Sequence, residues 1–143
     1  MDPWIAEHAE RIASRAAREL EALVAVSSPS GDVHGADGAV AVAAALLPDG
    51  GAVERVPCSS PAHADDVVAR VRGTGRGRVL LLGHLDTVVA HDEHRSLSRD
   101  GERLVGSGSI DMKGGVVLAL GVLRSLAENA AAFEELALLL VVD

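Results

Sequence analysis

Four aliphatic residues in a row, Val79-Leu80-Leu81-Leu82, run directly into Gly83-His84-Leu85-Asp86-Thr87. This junction constrains the fold more than any other stretch of the chain. An unbroken apolar run of that length reads as a buried strand, and the glycine with two polar groups reads as its end. In open α/β sheets, ligands gather beyond the carboxyl ends of strands. His84 and Asp86 therefore stand where chemistry usually happens. Two residues apart on an extended backbone, their side chains leave on the same face. An imidazole with a carboxylate behind it is a standard way to hold a metal ion or orient a base. Read alone, the pair is equally a polar turn that closes a strand.

The second element is Gly106-Ser107-Gly108-Ser109-Ile110-Asp111-Met112-Lys113-Gly114-Gly115. Glycines permit left-handed backbone and close approach, and one carboxylate sits among them. An apolar stretch, Val116 to Ala127, follows with helical character, apolar nearly all round and so expected to be buried. Asp111 then lies near the amino end of that helix, where the dipole favours an anion. Its two oxygens are enough to bridge two cations, and with it three polar residues converge on one edge.

The remaining pattern supplies a frame. Asp2-Pro3 is a helix start, and Ile5, Ala9, Ile12, Ala16, Leu20 and Leu23 recur at helical spacing to about Val26. This stripe is read as core packing rather than a membrane anchor, since its polar face mixes both charges. Ser27 to Asp32 breaks the helix, Asp37 can cap a second one to about Leu47, and Pro48-Asp49-Gly50-Gly51 ends it. Ala52 to Pro57 and Val67 to Arg72 read as strands, and Gly73 to Gly77 as a turn. Residues 91–101 read as an exposed loop and Arg103 to Val105 as a short strand. Leu136 to Val142 is uniformly apolar, the pattern of a central buried strand. The expected fold class is α/β, a mixed and largely parallel sheet flanked by helices. If the strands at 79–82 and 136–142 are parallel, Asp143 shares an edge with His84 and Asp86. Because the chain stops at that edge, residues 1–143 are expected to be an amino-terminal fragment of a longer protein.

Composition removes several function classes. The chain has 143 residues, 48% hydrophobic, with Trp4 and Phe133 as its aromatics, so the core is aliphatic. A net charge of −8 argues against nucleic acid, which selects basic stripes, and against anionic membranes. No apolar stretch approaches the ~20 residues of a membrane span. Cys58 is single and rules out an internal disulfide framework. With no leader pattern at Met1-Asp2-Pro3-Trp4, a cytoplasmic setting is expected.

Other motif readings fail on chemistry. Gly106-x-Gly108 is no dinucleotide loop, because Asp111 occupies the third glycine position and would repel a pyrophosphate. Met112 before Lys113 excludes a phosphate-binding loop of the P-loop type, and no Gly-x-Ser-x-Gly nucleophile elbow exists. His91-Asp92-Glu93-His94 lacks the His-Glu-x-x-His spacing and reads as a solvated loop, with a substrate-side loop as the alternative. His8 is expected at the surface or a boundary, His34 and His63 in loops, and Ser107 and Ser109 as loop residues.

Taken together, Leu82-Gly83-His84-Leu85-Asp86-Thr87-Val88 and Gly106-x-Gly108-x-x-Asp111-Met112-Lys113-Gly114-Gly115 resemble the zinc aminoacylase/carboxypeptidase family. That family includes acetylornithine deacetylase, succinyl-diaminopimelate desuccinylase and bacterial glutamate carboxypeptidase. The resemblance extends to the early helix and the Ser28-Pro29-Ser30-Gly31 break. It implies a catalytic α/β domain, of which residues 1–143 would be the amino-terminal part, with a smaller lid domain, often used for dimerisation, inserted later in the chain. It implies two zinc ions per full-length subunit, with cobalt or manganese as alternatives. His84 would ligate one metal and Asp111 bridge both. Asp86, the catalytic assignment in this segment, would stand behind His84, and the Asp111–Met112 peptide would be cis. The implied reaction is hydrolysis of an amide in an N-acyl amino acid or small peptide, by water activated on the metals.

The sequence departs from the family in lacking the Glu-Glu pair expected after the last strand, the later acidic and histidine ligands, and the lid. Zinc takes about four ligands, so the isolated chain is expected to be inactive. The alternative is a non-catalytic binding or assembly module of the same fold, and the two diverge on whether Glu-Glu follows Asp143.

Overall fold

A computed structural model describes residues 2–60 and 62–142. Asp143, expected on the functional edge, lies outside them. The chain opens with helix α1, Pro3–Val24, whose first turn is closed by the Asp2 carboxylate accepting from Trp4 N at 2.8 Å. Helix α2 spans Val33–Ala45. Its cap is Asp32, accepting from Gly35 N at 2.6 Å, and not Asp37, which lies within the helix and pairs with Arg55 at 3.0 Å. The chain reverses at Gly31, φ +80°, so Asp32 is the first acceptor to meet the unpaired amide donors of the new helix. His34 consequently sits in α2 rather than a loop.

Strands β1 (Ala52–Val56), β2 (Asp66–Arg72) and β3 (Arg78–His84) follow, then a hairpin of β4 (Ser98–Asp100) and β5 (Arg103–Val105). The expected open loop at 91–101 thus contains one arm of a hairpin, preceded by a tight turn at His91–Glu93. Helix α3, Gly114–Ala127, leads to strand β6, Glu135–Val141. The main sheet has the order β1-β2-β6-β3. β6 pairs antiparallel with β2 and parallel with β3, with Leu82 opposite Leu139 and His84 opposite Val141. The strand–helix–strand unit β3-α3-β6 therefore places the carboxyl ends of two parallel strands together, as anticipated, in an α/β fold. The sheet is mixed, but β3–β6 is the one parallel pairing of its three among the described residues, so it is not the largely parallel sheet expected.

The core is aliphatic and lies between one face of this sheet and the three helices. Val67, Ala69, Leu136, Leu138 and Leu140 meet Leu23 and Val24 of α1, Ala39 and Val40 of α2, and Val116, Leu120 and Leu123 of α3. Each buried aliphatic side chain contributes roughly 1.5–3 kcal/mol. Gly83 lets α3 settle on β3, since a Cβ there would stand 3.0 Å from Val116 Cγ2.

Three expectations about burial are corrected. β3 is an edge strand, and Leu80 and Leu82 are 64% and 60% exposed, because their face of the sheet carries no helix. α3 keeps an exposed side at Leu118 and Val122. His8 is buried, its ring centroid 4.1 Å from that of Trp4 one helical turn earlier. No helix among the described residues is long and apolar enough to cross a membrane.

Candidate metal centre

β3 ends at His84 and the chain continues extended through Leu85, Asp86 and Thr87. Leu85 N donates to Val141 O at 3.0 Å, which ties the segment to the end of β6. The Ser28-Pro29-Ser30 break lies alongside it: Thr87 N donates to Ser28 O (2.8 Å) and Ser30 N to Thr87 O (2.9 Å). The buried Ser28 hydroxyl donates to Leu85 O at 2.8 Å. Backbone bonds on two sides therefore fix where His84 and Asp86 emerge.

The His84 Nδ1 atom is 3.1 Å from both the backbone oxygen and Oδ1 of Asp86. Both partners only accept, so Nδ1 must carry a proton. That leaves Nε2, the other ring nitrogen, facing Asp111 Oδ1 at 3.0 Å. The structure thus brings together the three residues singled out from the sequence, with the ring between two carboxylates. Burial pulls the imidazole's pKa down, but the Asp111 hydrogen bond and the charge and hydrogen bonds of Asp86 oppose it, and the net direction is upward. The Asp86 side chain is 10% exposed and that of Asp111 88% exposed. One carboxylate is enclosed as a support and the other is presented to solvent.

Asp111 reaches this position through an irregular turn, Ser109–Lys113. Asp111 (φ −121°, ψ 98°) and Met112 (φ −131°, ψ 31°) leave helical backbone, and the peptide between them is cis. Gly108 enters the turn at φ +70°, where a Cβ would collide with Thr87 Cγ2 at 2.6 Å. Lys113, immediately before α3, is fully buried. Its Nζ donates to Leu23 O (3.1 Å), in the last turn of α1, and to Val26 O (2.7 Å), just beyond the helix. Burial lowers its pKa to about 8, against the opposing pull of Asp86. The sequence did carry a signal for this role, which reading the motif only for phosphate loops missed. A cation at the amino end of a helix is disfavoured by the dipole, so Lys113 had to find carbonyls elsewhere.

A cleft of about 370 Å³ opens in front of these groups, lined among others by His84, Asp86, Thr87, Gly108 and Asp111. Outside it, His91 serves local structure, whereas both ring nitrogens of His94 are buried without a hydrogen-bond partner among the described residues. His91 Nδ1 lies 2.8 Å from Ser27 Oγ, and its Nε2 lies 3.3 Å from Asp32 Oδ2. Ser107 is buried, and its hydroxyl accepts from Arg95 N at 2.8 Å. The partly buried Cys58 accepts from Ser60 N at 3.3 Å.

The donor set fits part of a zinc sphere. Two ligands ~2.0–2.1 Å from one zinc at a tetrahedral angle stand roughly 3.3 Å apart, close to the 3.0 Å between His84 Nε2 and Asp111 Oδ1. The set is short in number, because no group of three or more His, Cys, Asp or Glu among the described residues is arranged to hold a metal.

Residues 80–143 match the family model described as Peptidase family M20/M25/M40. Succinyl-diaminopimelate desuccinylase of Rhodopseudomonas palustris (strain HaA2) is 39% identical over 102 residues, covering 64% of this chain and 26% of that protein. Carboxypeptidase G2 of Pseudomonas sp. (strain RS-16) is 30% identical over 114 residues, covering 78% of this chain and 28% of that protein. The chain thus spans about a quarter of the length of the curated relatives it matches. The crystal structure of aminopeptidase PepT from Bacillus cereus superposes with a TM-score of 0.73 over 90% of this chain and 36% of that one. At 21% identity that likeness shows the fold alone. The paired motifs and the matched segment agree: over residues 80–143 the chain is similar to peptidase family M20/M25/M40, and its relatives by sequence are a desuccinylase and a carboxypeptidase.

Proposed function

We propose that residues 1–143 form the amino-terminal part of the catalytic domain of a dinuclear zinc hydrolase that cleaves amide bonds in N-acyl amino acids or small peptides. The observation that carries this reading is the convergence of His84 Nε2 and Asp111 Oδ1 at the mouth of a cleft, with Asp86 locking the far side of the ring. The names of the relatives, a desuccinylase and a carboxypeptidase, support amide hydrolysis as the reaction class. Ligands and a general base beyond those present here would come from the rest of the polypeptide, as would a lid and any dimer contact.

Within this segment each residue has a task set by its surroundings. His84 supplies a neutral ring nitrogen when its Nε2 proton is displaced. Asp86 keeps the Nδ1 proton in place and makes the ring a stronger donor. Asp111 offers a carboxylate whose second oxygen makes no hydrogen bond among the described residues, as a shared ligand requires. Zinc, when bound, lowers the pKa of water toward neutrality and polarises the scissile carbonyl.

Titration of the chain with Co²⁺, followed by absorption and calorimetry, tests this reading. Weak, saturable binding is expected, tightening as pH rises because the metal competes with a proton for His84. His84→Ala and Asp111→Ala should each abolish it. Equal binding by wild type and both variants would sink the reading. Amide hydrolysis by this chain at the rate of a full-length relative would sink the assignment as a part-domain.

A further inference from the structure

We infer that Ser30 is a positioning residue for the metal centre: its hydroxyl holds the Asp86 carboxylate so that Oδ1 stays on His84 Nδ1. The inference rests on the reading above and adds a member to its machinery. Asp86 uses its two oxygens in different directions. Oδ1 lies 3.1 Å from His84 Nδ1, and Oδ2 accepts from Ser30 Oγ. A carboxylate anchored at one oxygen can still turn about its Cβ–Cγ bond, and a second anchor fixes its plane. The chain of contacts therefore runs Ser30, Asp86, His84, Asp111.

The backbone prepares Ser30 for this without needing its hydroxyl. The Pro29–Thr87 parallel bridge, the bonds Thr87 N to Ser28 O and Ser30 N to Thr87 O, and the buried Ser28 hydroxyl on Leu85 O hold the strap in place. One residue beyond, Gly31 turns the chain and Asp32 caps α2. Ser30 itself is exposed as a whole residue, so deleting its oxygen opens no cavity. A serine that served only the strap would be redundant with these bonds. Its oxygen lies 3.3 Å from Thr87 O in the strap and closer to Asp86 Oδ2, on the one side chain that supports the ring.

The test compares wild type, Ser30→Ala and Ser30→Thr, each ¹⁵N-labelled at histidine. In the metal-free chain, above the pH at which His84 loses its second proton, the ring nitrogens of His84 report the Nδ1–H form. Ser30→Ala should shift them toward a mixture of tautomers and Ser30→Thr should restore them, with the unfolding midpoint unchanged in all three. Co²⁺ affinity should fall about tenfold in Ser30→Ala, the lower end for residues that support a metal-bound imidazole, and return in Ser30→Thr. Identical His84 ring signals in wild type and Ser30→Ala would overturn the inference whether or not metal binds. Failure of wild type to bind Co²⁺ while the ring signals respond would overturn only the metal reading of the site.

Discussion

The two faces of the main sheet are built from the same kinds of side chain and meet opposite fates. Toward the helices, Val67, Ala69, Leu136, Leu138 and Leu140 are each at most 3% exposed. On the other face, Leu80 and Leu82 are more than half exposed, beside the partly exposed Ala137 and Leu139. A strand with one wet face alternates apolar with polar residues, whereas one covered on both sides is apolar throughout. β6 and the centre of β3 follow the second pattern. β1 and β2 mix apolar and charged residues on this face, with Val68 beside Glu54 and Arg70, which pair at 2.7 Å. The open face is thus apolar at its centre along β3–β6, while along β1–β2 it also carries the charged pair Glu54–Arg70. This supports the proposal that further chain covers the half next to the candidate metal centre.

Truncation should separate the faces most sharply. Leu138→Ala removes a fully buried side chain from the centre of the core and should cost about 4 kcal/mol. Leu82→Ala should cost under ~0.5 kcal/mol. Urea unfolding reads both. Similar losses would show that the open face is already covered in solution, by a second copy of the chain for instance.

Lys113 sharpens the contrast from within the covered side. Its folded pKa, about 8, lies below the ordinary 10.5. Below pH 8 the buried ammonium is charged in both states, and the folded state bears the whole desolvation penalty. Between 8 and 10.5 the unfolded chain holds more protons, so stability rises with pH. The rise is bounded at about 3 kcal/mol and reduced by the two carbonyls that Nζ meets. Lys113→Met, measured without metal, should remove that slope. A Lys113→Met chain whose stability still climbed over this range would assign the effect elsewhere.

Much of this architecture was legible because hydrophobic period and turn residues are local signals. The helix begun by Asp2-Pro3, the strand running into Gly83-His84 and the pairing of His84 with Asp86 follow from patterns within a few residues, whereas Asp111, 27 residues further on, is tied to them by its glycine-rich setting and by the resemblance of the paired motifs. Strand order is not local. Nothing in Val79–Leu82 says that β6 will lie between β3 and β2, or that β3 will be left at an edge with one face bare. The choice of Asp32 over Asp37 as a cap turned on the Gly31 reversal, a backbone event that two similar aspartates do not reveal. His8 was misjudged for a simpler reason. Trp4 stands four residues before it, a spacing at which helical side chains meet. Ser30 escaped notice because its partner is 56 residues away.

Ion pairs carry the comparison down to its smallest effects. On the helix side, Glu19 is 3% exposed and bonded to Arg124 at 2.7 Å and to Arg15 at 2.9 Å. Arg124→Met leaves that buried carboxylate with one partner. The loss should be about 2 kcal/mol, below the 3–5 of a fully orphaned charge. On the open face, Glu54 and Arg70 have side chains 62% and 39% exposed at the same 2.7 Å separation. Water solvates both whether or not they touch, and the pair must immobilise two long side chains. Glu54→Ala should therefore change stability by less than ~0.5 kcal/mol, and by less still at high salt. The two pairs have matched geometry and differ in what surrounds them, so a double-mutant cycle on each isolates the effect of cover. Should the Glu54–Arg70 coupling match that of Glu19–Arg124 and resist salt, water would have to be absent from the β1–β2 half of the open face, and the contrast between the two faces would fail.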